Sequence, residues 1–188
     1  MVGELSIIFP AFNEEANIRR TVETIRGVLP KIATRWEIIV VDDGSSDPTA
    51  LICDDLKAQY PEVEVIRQEQ NRGYGAALKS GIMSAKYDLI FFSDSDGQFD
   101  FWDLEQLICW SEDYDTVAGY RAKRHDPLYR HVNALGWNVI VRLVLGIKIR
   151  DAGHITPVTK MNSTRPRPMP TWSSFNVGAI TCLHRPIP

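Results

Sequence analysis

Short apolar runs alternate with helix-spaced apolar positions along most of the chain. Leu5-Ser-Ile-Ile-Phe9 is one such run, stopped by Pro10, and predicts a buried strand. Ile18, Val22, Ile25 and Leu29 then recur every three or four residues and predict a helix. Asn13 is placed to cap it, with Glu14 and Glu15 in a first turn where the helix dipole favours acids. Glu37-Ile-Ile-Val-Val41 is a second strand, broken by Asp42-Asp43-Gly44-Ser45-Ser46. Asp47 caps and Pro48 opens a helix reaching about Gln59. Val63 to Arg67 is a third strand, Gly75 to Ala85 a third helix and Asp88 to Phe92 a fourth strand. A short helix follows over Phe101 to Trp110, then a fifth strand over Thr116 to Gly119.

Strands that are continuously apolar and alternate with helices predict an α/β fold: a mostly parallel sheet with helices on both faces. Such sheets bind ligands beyond the carboxyl ends of their strands. The polar clusters fall there: Asn13-Glu14 after the first strand, Asp42-Asp43 after the second, Asp94-Ser95-Asp96 after the fourth.

Charge divides the chain. Residues 1–151 hold 24 acidic and 17 basic residues, a net −7, whereas residues 152–188 hold no acid, four basic residues and six of the eleven prolines. The break predicts a globular body, 1–151, followed by a divergent Pro-rich tail, 152–188, that is loosely packed and without a regular helix. Over the whole chain of 188 residues, 44% hydrophobic and 24% charged residues exclude wholesale disorder, and a net charge of −3 argues against a general nucleic-acid binder. No run reaches the roughly 18 apolar residues of a membrane span, and the acidic N-terminus is not that of a secretory signal. Three cysteines with no CxxC spacing predict a reduced, cytoplasmic protein.

Several positions are candidates for chemistry. Asp94 and Asp96 flank one residue at a strand end, a spacing that suits a shared hard divalent cation and equally a simple turn, with Gln98 offering a further oxygen. Asp42 and Asp43 read as a turn, or as acceptors for a ribose or a base. Asn71-Arg-Gly-Tyr-Gly-Ala-Ala-Leu78 has the look of a dinucleotide fingerprint, but Leu78 replaces its third glycine and the segment follows the third strand. A glycine-rich turn that lets the next helix pack closely on the sheet is the simpler reading. Arg121, Lys123, Arg124 and Arg130 form a basic cluster, either a solvated loop or a phosphate-binding one. Residues 129–147 include the nearly apolar WNVIVRLVLGI and predict a helix that is either core or lies in a membrane interface. No Ser-His-Asp or Cys-His set is evident, so covalent acyl chemistry has no support.

Taken in order, SIIFPAFNEEANI, EIIVVDDGSSDPT, NRGYGAALKSGI, DLIFFSDSDGQFD and VAGYRAKR resemble family 2 glycosyltransferases of the GT-A fold, a Rossmann-like α/β architecture. The likeness is greatest to the dolichol-phosphate mannose synthase and polyprenyl-phosphate subgroup. It covers about residues 4–151. It implies a nucleotide-sugar pocket of Pro10, Phe12, Glu14, Val41 and Asp43, with Asp94, Ser95 and Asp96 on the diphosphate and metal and Gln98 a further metal ligand. Arg121 is implied as a diphosphate contact, and Asp96 and Arg121 as the groups that stabilise the leaving diphosphate. It further implies Mg2+ or Mn2+, a donor such as GDP-mannose or UDP-glucose, a polyprenyl phosphate acceptor, no nucleic acid, and a peripheral position on the cytosolic face of a membrane. A polyprenyl phosphate is already anionic, so attack on the anomeric carbon needs no general base, and a single displacement inverts that carbon. Beyond Asp151, where the family continues with a segment resembling G-F-K-L-F-R-R, this chain reads Ala-Gly-His-Ile-Thr-Pro-Val-Thr-Lys. The C-terminal part of the fold is therefore expected to be incomplete. Two further readings remain: a nucleotide-sugar-binding remnant without turnover, and a Rossmann oxidoreductase, which Leu78 disfavours.

Overall fold

The computed structural model describes residues 1–96, 100–112, 114, 116–119, 156–160 and 181–183. Strand β1 (Val2–Ala11) leads to α1 (Ile18–Ile32), then β2 (Ala33–Asp42), α2 (Thr49–Gln59), β3 (Val63–Arg67), α3 (Tyr74–Ser84) and β4 (Leu89–Phe92). A 3-10 turn (Phe101–Asp103) runs into α4 (Leu104–Trp110) and β5 (Thr116–Gly119). Two further strands, β6 (Thr156–Lys160) and β7 (Thr181–Leu183), complete a seven-stranded sheet of order β3-β2-β1-β4-β6-β5-β7. The first four strands in that order are mutually parallel, while β6 is antiparallel to both β4 and β5, and β7 to β5.

The sequence reading excluded a regular helix after Asp151 and assigned no strand there; β6 and β7 add two strands to the sheet. Backbone pairing supplies the reason: β4 has an open edge, and an unpaired edge accepts any strand of adequate propensity. Thr156-Pro-Val-Thr-Lys160 contains β-branched residues, and its proline lies beyond the stretch paired with β4, which ends at Phe91↔Val158.

The apolar strands are buried on both faces, as continuous rather than alternating hydrophobicity requires. Ile7, Phe9, Ile38, Val40 and Phe91 pack beneath α1, α2 and α4, with Ile18, Val22, Ile25, Leu29, Leu56 and Leu104. Ile8, Ile39, Val41 and Ile90 face the other way, against Ala77, Leu78 and Ile82 of α3. Burying each large side chain of this kind contributes about 1.5–3 kcal/mol before chain entropy is counted.

Two local expectations change. Asn13 does not cap α1; it sits in the loop with φ +56, and the N-cap position is Asn17. The apolar stripe set the helix correctly, but the first turn begins later, and Glu14 and Glu15 precede it. The helix also runs past Leu29 through Pro30 to Ile32. A proline in the last turn removes one hydrogen bond, and burial of Ile32 on the core offsets that loss.

Candidate active site

Four loops meet at the carboxyl edge of the parallel strands. The β2–α2 loop holds the β1–α1 loop through three successive backbone N–H groups. Asn13 N donates to Ser45 Oγ (3.0 Å), Glu14 N to Thr49 Oγ1 (2.8 Å) and Glu15 N to Asp47 Oδ2 (3.2 Å). In return Asn13 Oδ1 accepts from the Ser46 N–H at 2.9 Å. Burial disfavours the charged form of Asp47, but hydrogen bonds from Thr49 and Glu15 outweigh it and hold the carboxyl below its ordinary range.

Asp43 organises the next loop. It is 3% exposed, and its Oδ1 accepts from Arg72 N (2.9 Å) and its Oδ2 from Gly73 N (2.8 Å). Its own N–H extends the β1–β2 ladder by donating to Ala11 O at 2.9 Å. Gly73 adopts φ +88, a region open to glycine, and that turn presents its N–H to Asp43. Gly75 has open space where a Cβ would stand, so the glycines of this segment shape the loop and do not serve close packing. Gly81 does that instead: a Cβ there would lie 2.5 Å from Ile8 Cγ2.

The loop after β4 is fixed through Ser95. Its hydroxyl donates to Pro10 O (3.1 Å), its carbonyl accepts from Thr21 Oγ1 (2.9 Å), and all three groups are buried. Anchoring the central residue inward leaves Asp94 exposed and Asp96 half-buried. Partial burial first, then the charge of Asp94 nearby, raises the pKa of the Tyr74 phenol at the start of α3.

The structure thus brings most of the predicted residues to one edge. Pro10 pairs with Val41 in the β1–β2 register, and Val41 is wholly buried in the core, its strand paired with β1 on one side and β3 on the other. Phe12 is 44% exposed beside them, and Glu14 is half-buried with Oε2 accepting from Asn17 Nδ2 at 3.0 Å. Gln98, Arg121, the rest of the basic cluster and the 129–147 segment lie outside the described residues. Among the described residues no group of three His, Cys, Asp or Glu is placed to hold a metal ion. The donor set is two carboxylates from one loop. That fits a hard divalent cation of the kind that keeps waters and takes its remaining ligands from substrate phosphates.

Two positions that shape this edge escaped the sequence reading. Thr21 interrupts the apolar face of α1 next to Val22, a signal that a buried hydroxyl there needs a partner. The Arg72 amide carries no such signal, because its partner Asp43 is distant in sequence.

Comparison with known proteins agrees with this geometry. The chain matches the family described as "Glycosyl transferase family 2" over residues 6–165. It is 32% identical over 155 residues to the undecaprenyl-phosphate 4-deoxy-4-formamido-L-arabinose transferase of Pectobacterium atrosepticum, covering 81% of this chain and 47% of that protein. Similarity to the dodecaprenyl-phosphate galacturonate synthase of Rhizobium johnstonii, at 29% identity, covers 96% of this chain and 59% of that one. The chain therefore spans about half the length of these relatives. Both the family match and the Rhizobium alignment continue past Asp151, where the sequence reading ended the likeness. Among solved structures, glucosyl-3-phosphoglycerate synthase from Mycobacterium tuberculosis, in complex with Mn2+, UDP and phosphoglyceric acid, aligns with TM-score 0.64. At 19% identity over 84% of this chain and 56% of that one, it shows a shared fold. With sheet, edge loops and sequence in agreement, the chain belongs to glycosyl transferase family 2.

Proposed function

We propose that the carboxyl edge of the sheet binds a nucleoside-diphosphate sugar and that the sugar is passed, with inversion, to a polyprenyl phosphate. The observation that carries this reading is the anchoring of two loops at one sheet edge: Asp43 organises the 72–73 amides, and Ser95, tied to Pro10 and Thr21, fixes the loop that carries Asp94 and Asp96. The base and ribose then lie against the Pro10–Glu14 and Val41–Asp43 segments, and the diphosphate against residues 94–96. The relatives support the acceptor class, since both act on polyprenyl phosphates, although the sugars in their names differ. Mannose from GDP-mannose is the donor that the motif resemblance favours, with UDP-glucose the competing choice.

In the reaction an oxygen of the acceptor phosphate attacks the anomeric carbon. The bond from that carbon to the diphosphate breaks, and its electron pair leaves with the nucleoside diphosphate. The acceptor is anionic, so the protein has no proton to remove, which suits an edge that offers carboxylates and backbone amides. Asp94 and Asp96 would hold Mg2+ or Mn2+, which when bound neutralises charge growing on the leaving diphosphate. Arg121 is the cation we assign to the same diphosphate. Contact with the cytosolic face of a membrane is assigned to residues 129–147; among the described residues no helix is long and apolar enough to cross one.

The test pairs calorimetric titration of GDP-mannose and UDP-glucose, with and without Mn2+, with radiolabelled sugar transfer to a polyprenyl phosphate in detergent. Metal-dependent binding of one donor is expected, together with labelled lipid. Binding without labelled lipid supports the second reading, a nucleotide-sugar binder without turnover. Absence of binding to either donor refutes both.

A further inference from the structure

Asn13, at φ +56, is the one non-glycine residue with positive φ among those described. Left-handed backbone is costly for L-residues, and asparagine tolerates it better than most. Its side chain is committed to the opposite loop: Oδ1 accepts from Ser46 N at 2.9 Å and from Ser46 Oγ at 3.3 Å, while the Asn13 N–H donates to Ser45 Oγ at 3.0 Å. The core does not call for this, because Asn13 is exposed, and neither does α1, whose N-cap position is Asn17. A backbone outlier held in place by distant partners, beside a ligand edge, points to a functional constraint.

Its neighbours indicate which. Phe12 before it is 44% exposed, and the N–H of Glu14 after it is held by Thr49 Oγ1 at 2.8 Å. Across the clasp, Ser45 N donates to Asp42 Oδ1 at 3.0 Å, so hydrogen bonds run without a break from Asp42 through Ser45 to Asn13. The N–H groups of residues 13–15 are all engaged, by Ser45, Thr49 and Asp47, so what this loop offers a nucleotide is side-chain surface and not a phosphate cradle. We propose that Asn13 is a positioning residue for the base and ribose: its left-handed turn and its amide clamp on Ser46 lock the Pro10–Glu14 and Val41–Asp43 segments into one preformed surface. This rests on the reading of that edge as the nucleotide site. Exposed hydrogen bonds at a loop open readily, and a site competent only when closed binds more weakly in proportion to its closed fraction. Loss of one neutral hydrogen bond shifts such an equilibrium by about fivefold.

The experiment compares the full chain with Asn13→Gly, which keeps the turn and removes the clamp, and with Asn13→Asp, which keeps both the acceptor and the turn. UDP and GDP are titrated by calorimetry without metal and then with Mn2+. Thermal melts are recorded without ligand, and amide hydrogen exchange at residues 13–15 and 46 is followed with and without nucleotide. Expected are metal-free binding about fivefold weaker in Asn13→Gly, an unchanged fold-gain on adding Mn2+, near-parental binding in Asn13→Asp, and slower exchange at these amides when nucleotide binds the parent. Parental metal-free affinity in Asn13→Gly, even with a lowered melt, makes the residue merely structural and overturns the proposal while the nucleotide reading stands. Equal weakening in Asn13→Asp also overturns it, since the shared acceptor is then not what matters, as does a loss confined to the Mn2+ gain. Failure of the parent chain to bind either nucleotide overturns the nucleotide reading, and this proposal with it.

Discussion

Replacing Asp43 with Asn tests whether this side chain organises the edge loop. The substitution keeps size and shape but removes one acceptor. Oδ1 and Oδ2 now take the Arg72 and Gly73 N–H groups at 2.9 and 2.8 Å. An asparagine amide can accept one of these and must point its own NH2 at the other, donor against donor. A hydrogen bond to a charged group contributes about 1.5–3 kcal/mol, and a buried donor left unpaired costs about 1–3 kcal/mol. These overlap, because the loop can open to water and recover part of the loss, so a net destabilisation of about 2 kcal/mol is expected. With a urea m-value of about 2 kcal/mol/M, the midpoint should fall by about 1 M at unchanged slope. The assay is urea unfolding followed by circular dichroism, with native-state hydrogen exchange of the Arg72 and Gly73 amides alongside. A midpoint within about 0.2 M of the parent, with both amides as protected as before, would refute the assignment of Asp43 as the loop's organiser.

The core and the thiols give two further tests. Gly81→Ala places a methyl 2.5 Å from Ile8 Cγ2 and 3.2 Å from Val41 Cγ2. Overpacking of about 1–3 kcal/mol then exceeds the gain of about 1 kcal/mol in helix propensity, so the melting temperature should fall, and a rise would contradict the packing argument. Burial pushes the Cys53 thiol up to about 12, above the roughly 8.5 of an unfolded cysteine, so between these values the folded chain keeps a proton that the unfolded chain has lost. That contribution to stability is intact below about pH 8.5 and declines as pH rises toward 12, and at pH 8 a thiol reagent should modify exposed Cys109 while Cys53 reacts only on unfolding; early labelling of Cys53 counts against its burial.

What the sequence revealed and what it hid divide along contact distance. The five body strands and their helices were legible because the apolar residues that define them are neighbours in sequence: Ile18, Val22, Ile25 and Leu29 state their own helix. Asp43, Asp94 and Asp96 were legible for the same reason, standing one step beyond apolar runs. Asn13 was misread because its partners, Ser45 and Ser46, lie more than thirty residues away and draw it into a φ +56 turn that no local pattern announces. Strands β6 and β7 were missed because each is short and set in a Pro-rich background, and because they form by pairing with β4 and β5 rather than by any apolar period of their own.

The register of β6 separates the needs of the fold from those of the chemistry. A sheet edge asks only for backbone donors and acceptors in an extended segment, and residues 156–160 meet that demand between β4 and β5. Phosphates ask for cations at the carboxyl edge. Because β6 is antiparallel to β4, its first residues lie toward that edge, whereas Lys160 pairs with Leu89 at the amino end of β4. At about 3.3 Å per residue, the four-residue length of β4 carries Lys160 roughly 10 Å from the level at which Asp94 leaves the strand. The strand therefore completes the sheet with the lysine backbone at the end away from the proposed phosphate site, where the family resemblance leads one to expect a lysine- and arginine-bearing segment. On the proposed reading the donor contacts lie in residues up to Asp96 among those described, and cations lacking at the phosphate end would lower kcat more than nucleotide affinity, because they act on charge that grows only as the diphosphate departs.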